Sequence, residues 1–167
     1  MSDKQPSLLS RTFKFGELEY QSELVNDLSI DRSNLSWEYE RHAERFAWYS
    51  TAYELALDAE LKLKASLERG YAQLDAQARS NMALQSIKIT EKKVENMVIT
   101  QPDYVDLQAE YLGAKRDTGL LKAARDAMMH RRDMLIGLGA NYRAEAASDL
   151  SLREQDYKKN TFNKKSK

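Results

Sequence analysis

Between Pro6 and Pro102 the chain contains no proline, and across much of that stretch apolar residues recur at steps of mostly three and four. From Ser33 onward the series runs Leu35, Phe46, Tyr49, Tyr53, Leu57, Leu61, Leu67, Tyr71, Leu74 and Ala78. Such spacing gathers side chains on one face of a helix. Gly70 is the weakest interior point, so one helix is expected from Ser33 to about Arg79, with Asp31 or Ser33 as its N-cap. At 1.5 Å per residue it would reach about 65 Å, too long for a small globule unless a partner lies along its flank.

A second helix is marked more sharply. Thr100 stands as N-cap, Pro102 falls in the first turn, Asp103 follows the cap by three residues, and Ile99 is placed to meet Tyr104. The face that follows holds Tyr104, Leu107, Tyr111, Ala114, Thr118, Leu121, Met128, Leu135 and Tyr142, with Arg125 and Arg132 admitted where apolar residues would be expected. Gly137 and Gly139 are expected to loosen its end. Between the two helices, residues 80–100 begin with a turn signal and carry a short helix in EKKVENMV. The expected fold is all-α: two long helices in an antiparallel hairpin, joined by a short bridging helix. Its apolar area exceeds what one hairpin buries, which predicts a homo-oligomer with Leu121, Met128, Leu135 and Tyr142 at the interface.

Three regions follow from the same reading. Residues 1–30 lack a sustained period and form a partly flexible N-terminal arm, in which RTFKFGELEY is a short strand or a packing arm. Residues 31–147 form the helical core. Residues 148–167 form a flexible tail, basic at its end, where KKNTFNKKSK has five cations and no anion. The chain as a whole balances 26 basic against 26 acidic residues, with eight of the acids in the first 40 positions.

Several chemistries lack their residues. Without cysteine there are no disulfides, thiolate nucleophiles or thiolate metal sites, which suits a reducing cytoplasm. No apolar run is long enough for a signal peptide or a membrane span. Glu38 with His42, and Asp126 with His130, share helix faces, but no third pattern supports a metal. The glycines of Gly137-Leu138-Gly139 lie late in a helix and lack the rest of a phosphate-loop signature. No catalytic residue, cofactor or enzyme activity is expected.

The remaining feature is LKLKASLERGYAQ, residues 61–73, which sets Lys62, Lys64 and Arg69 against one acid, Glu68. Lys62, Ser66 and Arg69 share a stripe of the first helix, with Lys64 on the next stripe. Cations a turn apart can contact successive phosphates, and Tyr71 follows one turn on, either to stack on an unpaired base or to pack in the core. Glu60, Lys64 and Glu68 also form i, i+4 pairs, as on an ordinary solvated face. A second stripe of Lys115, Lys122, Arg125 and Arg132 has Asp117, Asp126 and Asp133 interleaved, and reads as pairing between helices.

From about Ile30 to Glu145 the chain resembles the UvsY family of bacteriophage recombination mediators. The resemblance rests on SIDRSNLSWEYERHAERFAWYSTAYELA at the start of the first helix, on Leu63-Lys64-Ala65-Ser66-Leu67-Glu68, on the Lys-rich connector from Thr90 to Val94, and on IGLGANYR. In the family the second of these reads LKARLD and is associated with single-stranded DNA, so the resemblance implies a binding role for Lys64. The family's arginine falls on Ser66 here, with Lys62 and Arg69 flanking the gap. The resemblance further implies a ring-like homo-oligomer that binds single-stranded DNA and helps load a RecA-like recombinase onto DNA coated by single-strand-binding protein, in a bacterial host cytoplasm. The alternative is a structural or scaffolding phage protein whose helices only assemble.

Overall fold

The computed structural model describes residues 10–15 and 18–165. Two strands, β1 (Ser10–Phe15) and β2 (Leu18–Glu23), precede four helices: α1 (Leu24–Leu28), α2 (Leu35–Leu84), α3 (Glu91–Ile99) and α4 (Pro102–Lys165). The fold is therefore mostly helical, with a β-hairpin in the arm where a single short strand or a packing arm was expected. Its strands pair antiparallel, with Phe13 opposite Tyr20 and Arg11 opposite Ser22. Those four residues share one face by the two-residue period of a strand, and Phe13 and Ser22 are buried on it while Thr12, Lys14, Glu19 and Gln21 face solvent. The hairpin exists because α2 presents Ala52 and Ala56, whose small side chains leave room for Phe13 against Leu121 of α4.

The long helices pack against each other in opposite directions. Near the start of α2, the Tyr39 hydroxyl donates to the Leu135 carbonyl at 2.6 Å, whereas further along Tyr71 meets Tyr104 edge to face with ring centroids 5.8 Å apart. Gly139 does not loosen α4. A Cβ there would lie 2.6 Å from the Tyr39 hydroxyl oxygen, so glycine is what admits that ring and its hydrogen bond. Beyond it α4 continues to Lys165, through the segment expected to be a flexible tail. No proline or glycine interrupts after Gly139, and RAEAASDLSLREQ is rich in good helix formers.

Local chemistry moved several boundaries. Asn34, not Asp31 or Ser33, caps α2 by accepting from the Trp37 N–H, while Asp31 accepts both the N–H and the hydroxyl of Ser33. Thr100 does not cap α4; its hydroxyl donates backward to the carbonyls of Asn96 and Met97, and it closes α3 instead. α2 runs past Arg79 to Leu84 because Ala78 and Met82 pack on Val94 and Val98 of α3. It then ends through Ser86, whose φ of +56° lies in the left-handed region. Ser86 N–H donates to the Ala83 carbonyl and Ile87 N–H to the Met82 carbonyl, the bonding pattern of a helix ending usually built on glycine. Ser86→Gly should therefore raise the unfolding free energy by about 0.5–1 kcal/mol by relieving the Cβ clash, read as a higher denaturant midpoint.

Candidate nucleic-acid interface

Lys62, Lys64 and Arg69 all face solvent on the middle of α2, in a stretch with no backbone irregularity. The Lys62 ammonium lies 2.6 Å from Asp58 and the Lys64 ammonium 4.0 Å from Glu68, each one turn away along the same helix. Both lysine side chains are more than half exposed, at 76% and 55%. Exposed i, i+4 pairs are worth only about 0.3–0.5 kcal/mol, so a phosphate could replace either carboxylate at little cost. Arg69 is held differently: its Nε donates to the Ala65 carbonyl at 3.2 Å and its Nη2 to the Ser66 hydroxyl at 3.4 Å. Ser66, between them on the same stripe, donates its own hydroxyl to the Lys62 carbonyl. Tyr71 is not a stacking platform, since it packs with Leu74 and Tyr104 beside the core formed with α3.

The second stripe is dispersed. Arg125 lies over the Tyr53 ring, 4.4 Å from its centroid, and bonds Asp126, while Arg132 points to solvent and pairs with Asp133. Lys115 and Lys122 are exposed.

The residues expected at an oligomer interface are placed mostly inside the protomer. Leu121 is covered by the β-hairpin, Met128 packs with Tyr49 and Ala124, and Leu135 is fully buried. Their own chain fills that face, so a contact between copies would have to use other residues. Tyr142 remains half exposed, with its hydroxyl donating to the Arg32 carbonyl at 3.1 Å. The exposed apolar side chains of α4 instead include Leu112, Leu120, Met134, Ile136, Leu150 and Leu152.

Sequence reasoning missed a buried ionic cluster at the Tyr39 end of the helical pair. Arg131 of α4 is almost wholly buried; its Nη2 bonds the Glu38 carboxylate closely and donates to the Ser29 carbonyl at 3.0 Å. Glu38 also accepts from the Asp31 N–H and lies 3.7 Å from Arg45, which in turn pairs with Asp27 at 3.3 Å. Asp27 accepts from the Tyr49 hydroxyl, which is within 3.1 Å of Ser22 in β2. This chain of bonds ties β2, α1 and the following loop to both long helices. Burial, with the Asp27 hydrogen bond and charge, raises the Tyr49 phenol well above its usual range against the opposing hydrogen bond of Ser22. Glu38 and His42 do share a site, but the Arg131 guanidinium lies between them, and among the described residues no group of three or more ligating side chains is poised for a metal.

Arg131 Nη1 lies 3.4 Å from His42 Nδ1, and a guanidinium only donates, so that nitrogen accepts in its unprotonated form. Burial first, then the charges of Arg131, Arg132 and Arg45, hold the His42 imidazole below its usual pKa. The unfolded chain therefore takes up this proton before the folded one. Stability due to His42 should be intact above about pH 6.5 and be lost as pH falls toward the lowered folded value. Urea midpoints measured from about pH 7.5 to 5.5 should decline in the wild type and decline less in His42→Gln.

No described helix is long and apolar enough to cross a membrane. Comparison of the chain with protein-family models, curated proteins and solved structures returned no match.

Proposed function

We propose that the protein is a non-enzymatic recombination mediator of the bacterial host cytoplasm: a homo-oligomer that binds single-stranded DNA and helps load a RecA-like recombinase onto DNA coated by single-strand-binding protein. The observation that carries this reading is the solvent-facing set of Lys62, Lys64 and Arg69 within one segment of α2, the segment that resembles the mediator element. Self-association has separate support. α2 begins at Leu35, and the meeting of Tyr142 with Arg32 leaves α4 beyond that point without a partner helix among the described residues, yet exposing Leu150 and Leu152. In proteins most helical stability comes from tertiary packing, and packing against neighbouring copies would supply it to this segment. Repetition around an oligomer also turns a modest cation cluster into a multivalent one.

The pairing of Lys62 with Asp58 and Lys64 with Glu68 favours the alternative, a scaffold whose cations are merely a solvated face. Titrating labelled single-stranded and duplex DNA of mixed sequence at several salt concentrations separates the two. The mediator reading expects preference for single strands and an affinity that falls with salt by about 0.7 in log slope per phosphate contact. Absence of saturable binding at low salt favours the scaffold.

A further inference from the structure

The end of the helical pair remote from the buried ionic cluster carries Ile87-Lys88-Ile89-Thr90, four residues between α2 and α3 that belong to neither helix. We propose that this segment is a docking edge to which a partner protein adds an acidic, extended segment as a β-strand. The proposal goes beyond DNA binding and does not rest on it; Arg69 lies about 22 Å away along α2 at 1.5 Å per residue.

Backbone, side chains and charge agree. Among the described residues no hydrogen bond reaches the N–H of Lys88 or Ile89, and Thr90 is in the extended region with φ −134° and ψ 145°. An exposed backbone with free donors is what strand addition uses. Ile87, Ile89 and Thr90 are β-branched, and the alternation sets Ile87 and Ile89 on one side with Lys88 on the other in a strand-like conformation. Both isoleucines are exposed, at 40% and 42%, and Leu84 beside them is 84% exposed.

The segment is held at both ends: Ile87 N–H bonds the Met82 carbonyl, and Thr90 caps α3 through the Lys93 N–H. Arg79 fastens α3 to α2, bonding Asp75 and Glu91 together. That bond occupies the nearest acid, Glu91, and leaves Lys88, Lys92 and Lys93 exposed around the segment. Charge complementarity therefore selects an acidic occupant. A phosphate backbone would satisfy the lysines but give the isoleucines nothing apolar to pack against.

Hydrogen–deuterium exchange on the full chain tests this, with a synthetic peptide alternating valine and aspartate at millimolar concentration as probe and a valine–lysine peptide as control. The expected result is slower exchange across residues 87–90 with the acidic peptide alone. Ile89→Pro should abolish that protection, because it removes one N–H and blocks pairing, while unchanged exchange in Val94 to Val98 shows the tip still folded. Replacing Lys88, Lys92 and Lys93 with alanine should weaken it. The proposal is overturned if the acidic peptide gives no protection, if both peptides protect equally, or if Ile89→Pro retains the effect. It is also overturned if the segment is protected by raising the protein concentration alone, by single-stranded DNA or by phosphatidylserine vesicles, but not by the acidic peptide.

Discussion

Replacing Arg131 with alanine is expected to lower the unfolding free energy by about 3–5 kcal/mol, because it leaves the Glu38 carboxylate buried without its main partner. Glu38 is buried between the loop after α1 and α4, and the remaining cation, Arg45, lies 3.7 Å away and is already paired with Asp27. The Ser29 carbonyl and His42 Nδ1 lose a donor in the same substitution. Urea unfolding followed by circular dichroism reads the loss. The pair Glu38→Leu with Arg131→Met should recover most of it, since removing both charges removes the need to desolvate them. A loss below about 1 kcal/mol for Arg131→Ala would place it with exposed ion pairs and contradict the buried geometry.

Leu121→Asp should be as damaging and for a different reason. Leu121 has no exposed surface and packs with Phe13, Ala52 and Ala56 where the β-hairpin crosses the helices. Truncating such a leucine to alanine costs about 2.7–5 kcal/mol, and a carboxylate in the same place adds the burial of a charge. The expected outcome is loss of the cooperative thermal transition, not the release of folded subunits. Met134→Asp and Leu150→Asp, on exposed positions of α4, should leave the fold intact and weaken any association in sedimentation. A folded monomeric Leu121→Asp protein would show that Leu121 belongs to an interface after all.

The long helices were legible because their apolar spacing persists over many turns and proline is absent from both interiors except at the first turn of α4. The β-hairpin was not, because RTFKFGELEY is short and its burial depends on Ala52 and Ala56, about 40 residues away in sequence. Arg132 interrupts the apolar spacing, but Arg131 is the buried residue and Arg132 is exposed. A helix of 3.6 residues per turn drifts against a seven-residue pattern, which makes neighbouring positions easy to exchange by eye. Thr100 was misassigned because a threonine hydroxyl can equally bond back into the turn before it. Exposure of Lys62, Lys64 and Arg69 was foreseeable from the stripe, whereas the turn-distant carboxylate chosen by each lysine depends on side-chain rotamers.

Whether the proposed segment of α2 meets DNA is decided by one substitution set. Lys62→Ala, Lys64→Ala and Arg69→Ala together should weaken single-stranded DNA binding and flatten its salt dependence by about 2 in log slope for each subunit in contact with the strand, at about 0.7 per lost contact. Helix content should hold, because alanine is the best helix former, and sedimentation should show the oligomer unchanged, so that lost avidity is not mistaken for lost contact. The matched control removes Lys115, Arg116 and Lys122, three exposed cations of α4. A large loss is expected for the α2 set and little for the control; equal losses with both oligomers intact would show that this segment is not the DNA site.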